Sequence, residues 1–397
     1  MYRLLEGIRV LDMCRLIPGD TCTHVLADLG ADVIKIEEPP TGDYLRSSLG
    51  PFRNGVGWPY LALNANKRSV SLNLKVEAGR AVFRQLLSTA DALVQVSKPG
   101  VFAKLGADYP SVSQVRPDIV YCEMSAYGQD GPWRMFPAHG YNIAAMSGEV
   151  AIEWDDEGLP QLPRHLGRRG GGGQGVSAAL AVLAALVQKL RTGRGQYIDS
   201  SGWDDLVADS ATIRDWLNGM EPMIERLDLR NAPRYNVYLT GDGKVIFLCP
   251  IERKFWVAFC EVVGRPDWVD RARFDGHMDW GNYDTTLRAE IQAIIATRSA
   301  DQWLEAFLAA DVPAAPVLTD PADVVASGHM AARRMLVETE HPAYGAIRLV
   351  RPAVRLPDQD FTIRHPPPLL GEDTRAVLTE LGYDEEGIGE LRAAGAI

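Results

Sequence analysis

Between Pro163 and Leu190 the chain reads PRHLGRRGGGGQGVSAALAVLAALVQKL. Arg164, His165, Arg168 and Arg169 come before a glycine run, Gly170 to Gly173, which Gln174 and Gly175 extend. Guanidinium groups bind carboxylates and phosphates through paired hydrogen bonds. A glycine run that opens a helix leaves backbone N–H groups free at the positive end of the helix dipole, and it lets another molecule approach the backbone closely. These residues therefore describe a cradle for an anionic ligand, with Arg168, Arg169, Gly171 and Gly172 facing it. The chemistry on offer is recognition, since glycine supplies no nucleophile. A flexible connector with solvated arginines has the same composition.

The elements around this stretch decide which reading it deserves. Val176–Leu190 is rich in Ala, Val and Leu and holds no Pro or Gly, so it predicts a buried helix, shorter than a bilayer requires. Upstream, Ile8–Met13 and Asp32–Glu37 read as buried strands on either side of a helix at Thr21–Leu29, with Gly30 as its C′ residue. This is a βαβ unit, which implies parallel pairing. The first turn, Leu16 to Asp20, lacks GxGxxG, which argues against a nicotinamide enzyme. Further strands are predicted at Ser69–Leu74, Asp91–Val96, Asp118–Met124 and Tyr197–Ser200, with a helix at Val76–Ala90 and a long one at Trp203–Asn218. The class is α/β, an open parallel sheet with helices on its faces. Ligands on such sheets sit beyond the carboxyl ends of the strands.

The composition changes after Met220. Tyr235–Leu239 and Lys244–Leu248 predict a hairpin through Thr240-Gly241-Asp242-Gly243, and helices follow at Arg253–Val263, Tyr283–Ala296 and Ala300–Ala310. The expected division is a large domain over 1–224 and a smaller α+β domain over 225–330, before a Pro-rich stretch and a helical end over 331–397. The net charge of −11 argues against nonspecific nucleic-acid binding. Five scattered cysteines with no CxxC predict neither a disulfide framework nor a metal site and fit a reducing compartment. The first residues lack the apolar core of a secretion signal, so a cytoplasmic protein without a membrane anchor is expected.

Several segments combine into one pattern. They are Val10-Leu11-Asp12, Leu26 to Glu37 (LADLGADVIKIE), Gly42-Asp43 with Arg46, Asn66-Lys67-Arg68-Ser69 and Leu72 to Lys75. Lys98-Pro99-Gly100, Leu105-Gly106, Tyr127 to Pro132 (YGQDGP) and Thr192 to Gln196 (TGRGQ) complete the set. The chain resembles the family III CoA-transferases, the group that also contains α-methylacyl-CoA racemases. The resemblance implies a Rossmann-like large domain to which 331–397 returns, a smaller middle domain, and a dimer of interlocked rings. It implies acyl-CoA and a carboxylic acid as substrates, with no permanently bound cofactor. By matching position, Leu72, Asn73, Leu74, Lys75, Ser97, Lys98 and Lys104 would line the CoA site. Solvated surface is the alternative for the lysines.

Two departures bear on activity. Transferases of this family attack the thioester with an aspartate close before the central apolar helix and pass CoA through mixed-anhydride and enzyme-thioester stages. Counted back from Thr192, that position is Gly170 or Gly171, which cannot perform the step. An arginine that contacts CoA in the racemase branch is replaced by Glu38, which would repel an adenosine phosphate. The racemase apparatus is matched in part: His139 with Asn142, Ser147 and Gly148 fits its His motif, and Glu252 fits the supporting Glu. The other acid of that apparatus falls on the same glycines. The resemblance therefore implies first a CoA-transferase subunit, of the benzylsuccinate type that uses succinyl-CoA, paired with a homologous Asp-bearing subunit. A racemase or epimerase using His139 and Glu252, and a non-catalytic CoA-binding scaffold, remain as alternatives.

Overall fold

Strands buried on both faces must alternate their apolar residues between two helical layers. The computed structural model describes residues 1–148, 150–162, 172–220, 229–274 and 276–397. They form two units, Met1–Ser210 with Arg334–Ile397, and Ala211–Arg333.

The first unit is built on six strands: β1 (Arg9–Met13), β2 (Asp32–Glu37), β3 (Lys67–Ser71), β4 (Ala92–Val96), β5 (Val120–Ser125) and β6 (Gln196–Ser201). All pairs are parallel and the order is β6-β5-β4-β1-β2-β3. The direction of winding reverses between β1 and β4, which opens a crevice at their carboxyl ends. Helices α1 (Leu16–Asp28), α2 (Glu77–Ser88), α3 (Gly140–Met146), α4 (Gly172–Thr192) and α5 (Gly202–Asp209) follow in order. One sheet face packs Val10, Val33, Val94, Cys122 and Met124 against Cys22 and Leu26 of α1 and Ala178 and Val182 of α4. The other packs Leu11, Ile34, Val70, Leu93 and Tyr121 against Phe83 and Leu86 of α2 and Val377, Leu378, Ile388 and Leu391 near the chain end. Each Val, Leu, Ile, Phe or Met side chain among them contributes about 1.5–3 kcal/mol on burial.

The C-terminal segment also covers the free edge of β3. Ser69 N–H donates to Asp373 Oδ2 at 2.8 Å, Ser71 N–H to Thr374 Oγ1 at 2.9 Å, and Asn73 N–H to the Ala396 carbonyl at 2.8 Å. An edge that would otherwise pair with another chain is thereby closed.

In the second unit, Asn236–Leu239 and Val245–Leu248 pair antiparallel, and Ala314–Pro316 adds a third strand. Helices Arg253–Val262, Leu287–Ile295 and Ala300–Ala309 pack on them around Trp256, Phe259, Trp268, Trp303 and Phe307.

Several boundaries differ from the sequence expectation, each for a physical reason. Leu16 to Asp20, expected as a turn, is the first turn of α1. Leu16 takes φ +67, so the chain reverses straight after Arg15, and Pro18 sits where a helix has no N–H to satisfy. The central helix starts at Gly172, four residues before the expected Val176. A Cβ on Gly175 would stand 2.5 Å from the Pro18 carbonyl oxygen and 2.6 Å from Thr21 Cβ, so glycine is what lets α4 lie against α1. At 21 residues α4 is long and apolar enough to cross a bilayer by composition alone, unlike the shorter helix expected; here Gly175, Ala178, Val182 and Leu186 are buried within the unit. The long helix expected at Trp203–Asn218 breaks at Ser210, whose backbone is extended, into α5 and Ala211–Leu217. Strand β3 ends at Ser71 rather than Leu74, so Leu72 to Lys75 turn off the sheet. A hairpin, Leu336–His341 with Gly345–Val350, was not legible in the Pro-rich tail.

Candidate functional site

Beyond the carboxyl ends of β1, β2, β3 and β4 lies a cleft of about 340 Å³. Met13 and Arg15 enter it from β1, Ile36 and Glu38 from β2, Leu72 to Lys75 from the segment after β3, and Val96, Ser97, Val101, Phe102, Lys104 and Leu105 from β4 and the turn beyond it. Six of the seven residues expected to line a CoA site are here: Leu72, Asn73, Leu74, Lys75, Ser97 and Lys104. Lys98 is not among the lining residues. The early end of β3 is what brings Leu72 to Lys75 in. Asn73 holds that segment, its Oδ1 accepting from Lys75 N–H at 3.0 Å and its Nδ2 donating to the Gly395 carbonyl at 3.0 Å. Ser97 Oγ donates to Gln95 Oε1 at 2.9 Å. The cleft joins an apolar wall (Met13, Ile36, Leu72, Leu74, Val96, Phe102) to cations at Arg15, Lys75 and Lys104, which suits a ligand with an alkyl-like arm and anionic groups.

Glu38 is the acid in this lining. Arg15 Nη2 donates to Glu38 Oε2 at 3.1 Å, and Lys75 Nζ is ion-paired with Glu38 Oε1. The Lys75 hydrogen bond first, against some desolvation and with help from Arg15, holds the carboxyl below its usual range.

Beneath the cleft is a charge cluster that sequence reasoning did not single out as a site. Asp12, Asp20, Lys35, Asp43, Asn64 and Lys67 are all buried. Lys35 Nζ lies 2.6 Å from Asp20 Oδ1 and 2.9 Å from Asp43 Oδ2, and it donates to the Cys14 carbonyl at 3.0 Å. Lys67 Nζ lies 3.0 Å from Asp12 Oδ2 and donates to Thr23 Oγ1 at 2.7 Å and Asn64 Oδ1 at 2.9 Å. Three carboxylates thus share two ammonium groups. Burial opposes ionisation of Asp12, but Lys35 and Lys67 outweigh it and hold that carboxyl at about 2. Burial pushes Asp20 up to about 7, only partly offset by the same lysines. Asp43 Oδ1 accepts from Leu16 N–H at 3.2 Å and Leu45 N–H at 2.8 Å. The cluster therefore grips the turn at Cys14 and Leu16 and so positions Arg15 between them. Next to it, Glu37 takes Arg46 Nε at 2.8 Å and Nη2 at 2.6 Å, while the guanidinium lies over the Tyr60 ring. The motif residues Asp12, Glu37, Asp43, Arg46 and Lys67 are framework rather than cleft lining. Their signal was available: Lys35 sits between Ile34 and Ile36 in a strand buried on both faces, where a charge must find a partner.

The family model for CoA-transferase family III matches residues 5–374. The chain belongs to CoA-transferase family III. It is 31% identical over 406 residues to succinyl-CoA:glutarate CoA-transferase of Homo sapiens, covering 99% of this chain and 90% of that one. It is 30% identical over 403 residues to the succinyl-CoA–L-malate CoA-transferase beta subunit of Chloroflexus aurantiacus, covering 99% and 98%. A CAIB/BAIF family protein of Brucella suis has the same fold, with a TM-score of 0.75 at 25% identity over 95% of this chain and 98% of that one.

The remaining expected site residues of this family III CoA-transferase are not among those lining the cleft. His139 is the exposed N-cap residue of α3, its N–H donating to Asn142 Oδ1 at 2.9 Å. Glu252 belongs to the second unit, as the N-cap residue of Arg253–Val262, and its backbone bridges to Met278. Arg168, Arg169, Gly170 and Gly171 lie outside the described residues. Gly172 begins α4, so the end of the glycine run opens that helix. Gln174 is buried and ties two strand ends together, its Nε2 donating to the Ser125 carbonyl at 2.9 Å and the Ser200 carbonyl at 3.0 Å.

Proposed function

We propose that this chain is the CoA-holding subunit of a transferase that moves CoA between an acyl-CoA, such as succinyl-CoA, and a carboxylic acid. The observation that carries the reading is the cleft of Leu72 to Lys75, Ser97 and Lys104; by the resemblance, Gly170 or Gly171 would occupy the nucleophile position. The apolar wall would hold the pantetheine arm, and Arg15, Lys75 and Lys104 would neutralise phosphates. The carboxylate that attacks the thioester would come from a homologous Asp-bearing subunit. An apolar stripe on α4, with Val176, Leu180, Val187 and Leu190 exposed by 54–75%, supports a partner on that face. The interlocked-ring arrangement belongs to the same proposal. Arg168 and Arg169 would bind the free carboxylate of a dicarboxylic substrate.

The test is expression of this chain alone and with an Asp-bearing homologue. Transfer from succinyl-CoA to a dicarboxylate is assayed, and the enzyme-bound thioester is trapped and mapped. Activity confined to the pair, with the thioester on the partner, is the expected result. Transfer by this chain alone, with the thioester on its own residues, refutes the assignment. Replacing Arg168 and Arg169 by alanine in the active complex should raise KM for dicarboxylates; unchanged KM and kcat refute that part.

A further inference from the structure

Glu38 follows the carboxyl end of β2, next to the point where the winding reverses. In doubly wound nucleotide folds an acid near this place accepts hydrogen bonds from free ribose hydroxyls, whereas a phosphorylated ribose is met by an arginine. Here the acid faces the cleft and already holds the two cations that flank it, Arg15 from β1 and Lys75 from beyond β3. Glu38 and Arg15 are partly shielded, with side chains 34% and 38% exposed, whereas Lys75 is 68% exposed and more strongly screened. A phosphate arriving at this end would have to displace the carboxylate from both partners and then remain beside it.

We propose that Glu38 is a specificity-determining residue of the nucleotide end of the cleft, and that it selects against a phosphate on the ribose. The cleft then takes an adenosine-nucleotide thioester through its diphosphate, with Lys104 on the opposite wall, and the 3′-phosphate of CoA adds little to affinity. Glu38 acts as an internal competitor anion that keeps Arg15 and Lys75 in place when the cleft is empty. This inference rests on the CoA-thioester reading above and refines it.

The experiment is calorimetric titration of the full protein, with its partner subunit where that is required, using CoA and 3′-dephospho-CoA at two salt concentrations. The wild type should bind the two ligands within about threefold of each other. Glu38→Gln should tighten CoA by about tenfold more than it tightens 3′-dephospho-CoA, and steepen the salt dependence more for CoA than for 3′-dephospho-CoA. A wild type that prefers CoA by about tenfold or more, or a variant that tightens both ligands equally, overturns the inference and leaves the CoA reading standing. The wild-type comparison decides even where the variant folds badly. Failure of either protein to bind either ligand overturns the CoA reading itself and this inference with it.

Discussion

Replacing Asp20 by asparagine tests the buried cluster directly. Asp20 is the carboxyl that the two lysines cannot fully balance. An ordinary aspartate titrates near about 4; in the fold Asp20 titrates at about 7, because burial outweighs Lys35 and Lys67. The folded state therefore binds this proton more tightly than the unfolded chain. Stability from this group is fully present below about pH 4 and is lost as pH rises to about 7. At about 1.4 kcal/mol per pH unit, the loss approaches about 4 kcal/mol. In the Asp20→Asn variant the carboxamide has no titrating proton to lose, and its Oδ1 can still accept from Lys35. Urea unfolding, followed by circular dichroism between about pH 3 and about pH 8.5, a range that spans both titrations, gives the stability difference between variant and wild type. That difference should move in favour of the variant as pH rises, by at most about 4 kcal/mol, because groups outside the coupled cluster are common to both proteins and cancel. A difference that is flat with pH, or that favours the wild type increasingly as pH rises, refutes the charge accounting.

Three further outcomes are expected. Gly175→Ala drives a methyl against the Pro18 carbonyl and Thr21; it should cost about 1–3 kcal/mol, read by thermal denaturation, and an unchanged midpoint refutes the close α1–α4 contact. Asp279→Asn leaves the fully buried Arg234, 2.6 Å from that carboxylate and stacked over Trp256, without its counter-charge; the second unit should lose about 3–5 kcal/mol and become the first site of limited proteolysis, whereas wild-type resistance refutes the pairing. Lys104→Ala should weaken CoA binding by about threefold to tenfold at low salt, with the effect fading as salt rises; equal affinity at both salts removes Lys104 from the site.

The parallel core was legible because its strands are short apolar runs bounded by turns, and β1, β2, β4, β5 and β6 fall within two residues of expectation. Helix starts were not. Leu16 to Asp20 carries Pro-Gly, which favours a turn locally, and Gly172 to Gly175 is a poor helix former; tertiary contact between α1 and α4 overrides both. The cleft was legible only through the resemblance, since Leu72, Asn73, Leu74, Lys75, Ser97 and Lys104 come from two separate segments that no local pattern joins. The ion pairs of Glu38 were out of reach for the same reason: Arg15, Glu38 and Lys75 lie on three successive returns of the chain to one end of the sheet. Asp12, Asp43 and Lys67 were visible only as motif residues without a role, because a motif reports what a fold keeps without saying whether it is kept for chemistry or for support.

Closure of β3 by the last residues governs the order in which the molecule can be made. Val377, Leu378, Ile388 and Leu391 complete one face of a sheet whose first four strands end at Val96. At about 5–20 residues per second, the ribosome needs on the order of 15–60 s to add the chain that follows. Throughout that interval the β3 edge and much of one apolar face stand open, while the second unit, contiguous in sequence, can fold. The nascent chain is thus most prone to aggregation when most of its sheet already exists. A chain that stopped before Asp373 would keep the strands that form the cleft but lose Val377, Leu378, Ile388 and Leu391 from one sheet face and the bonds that close β3.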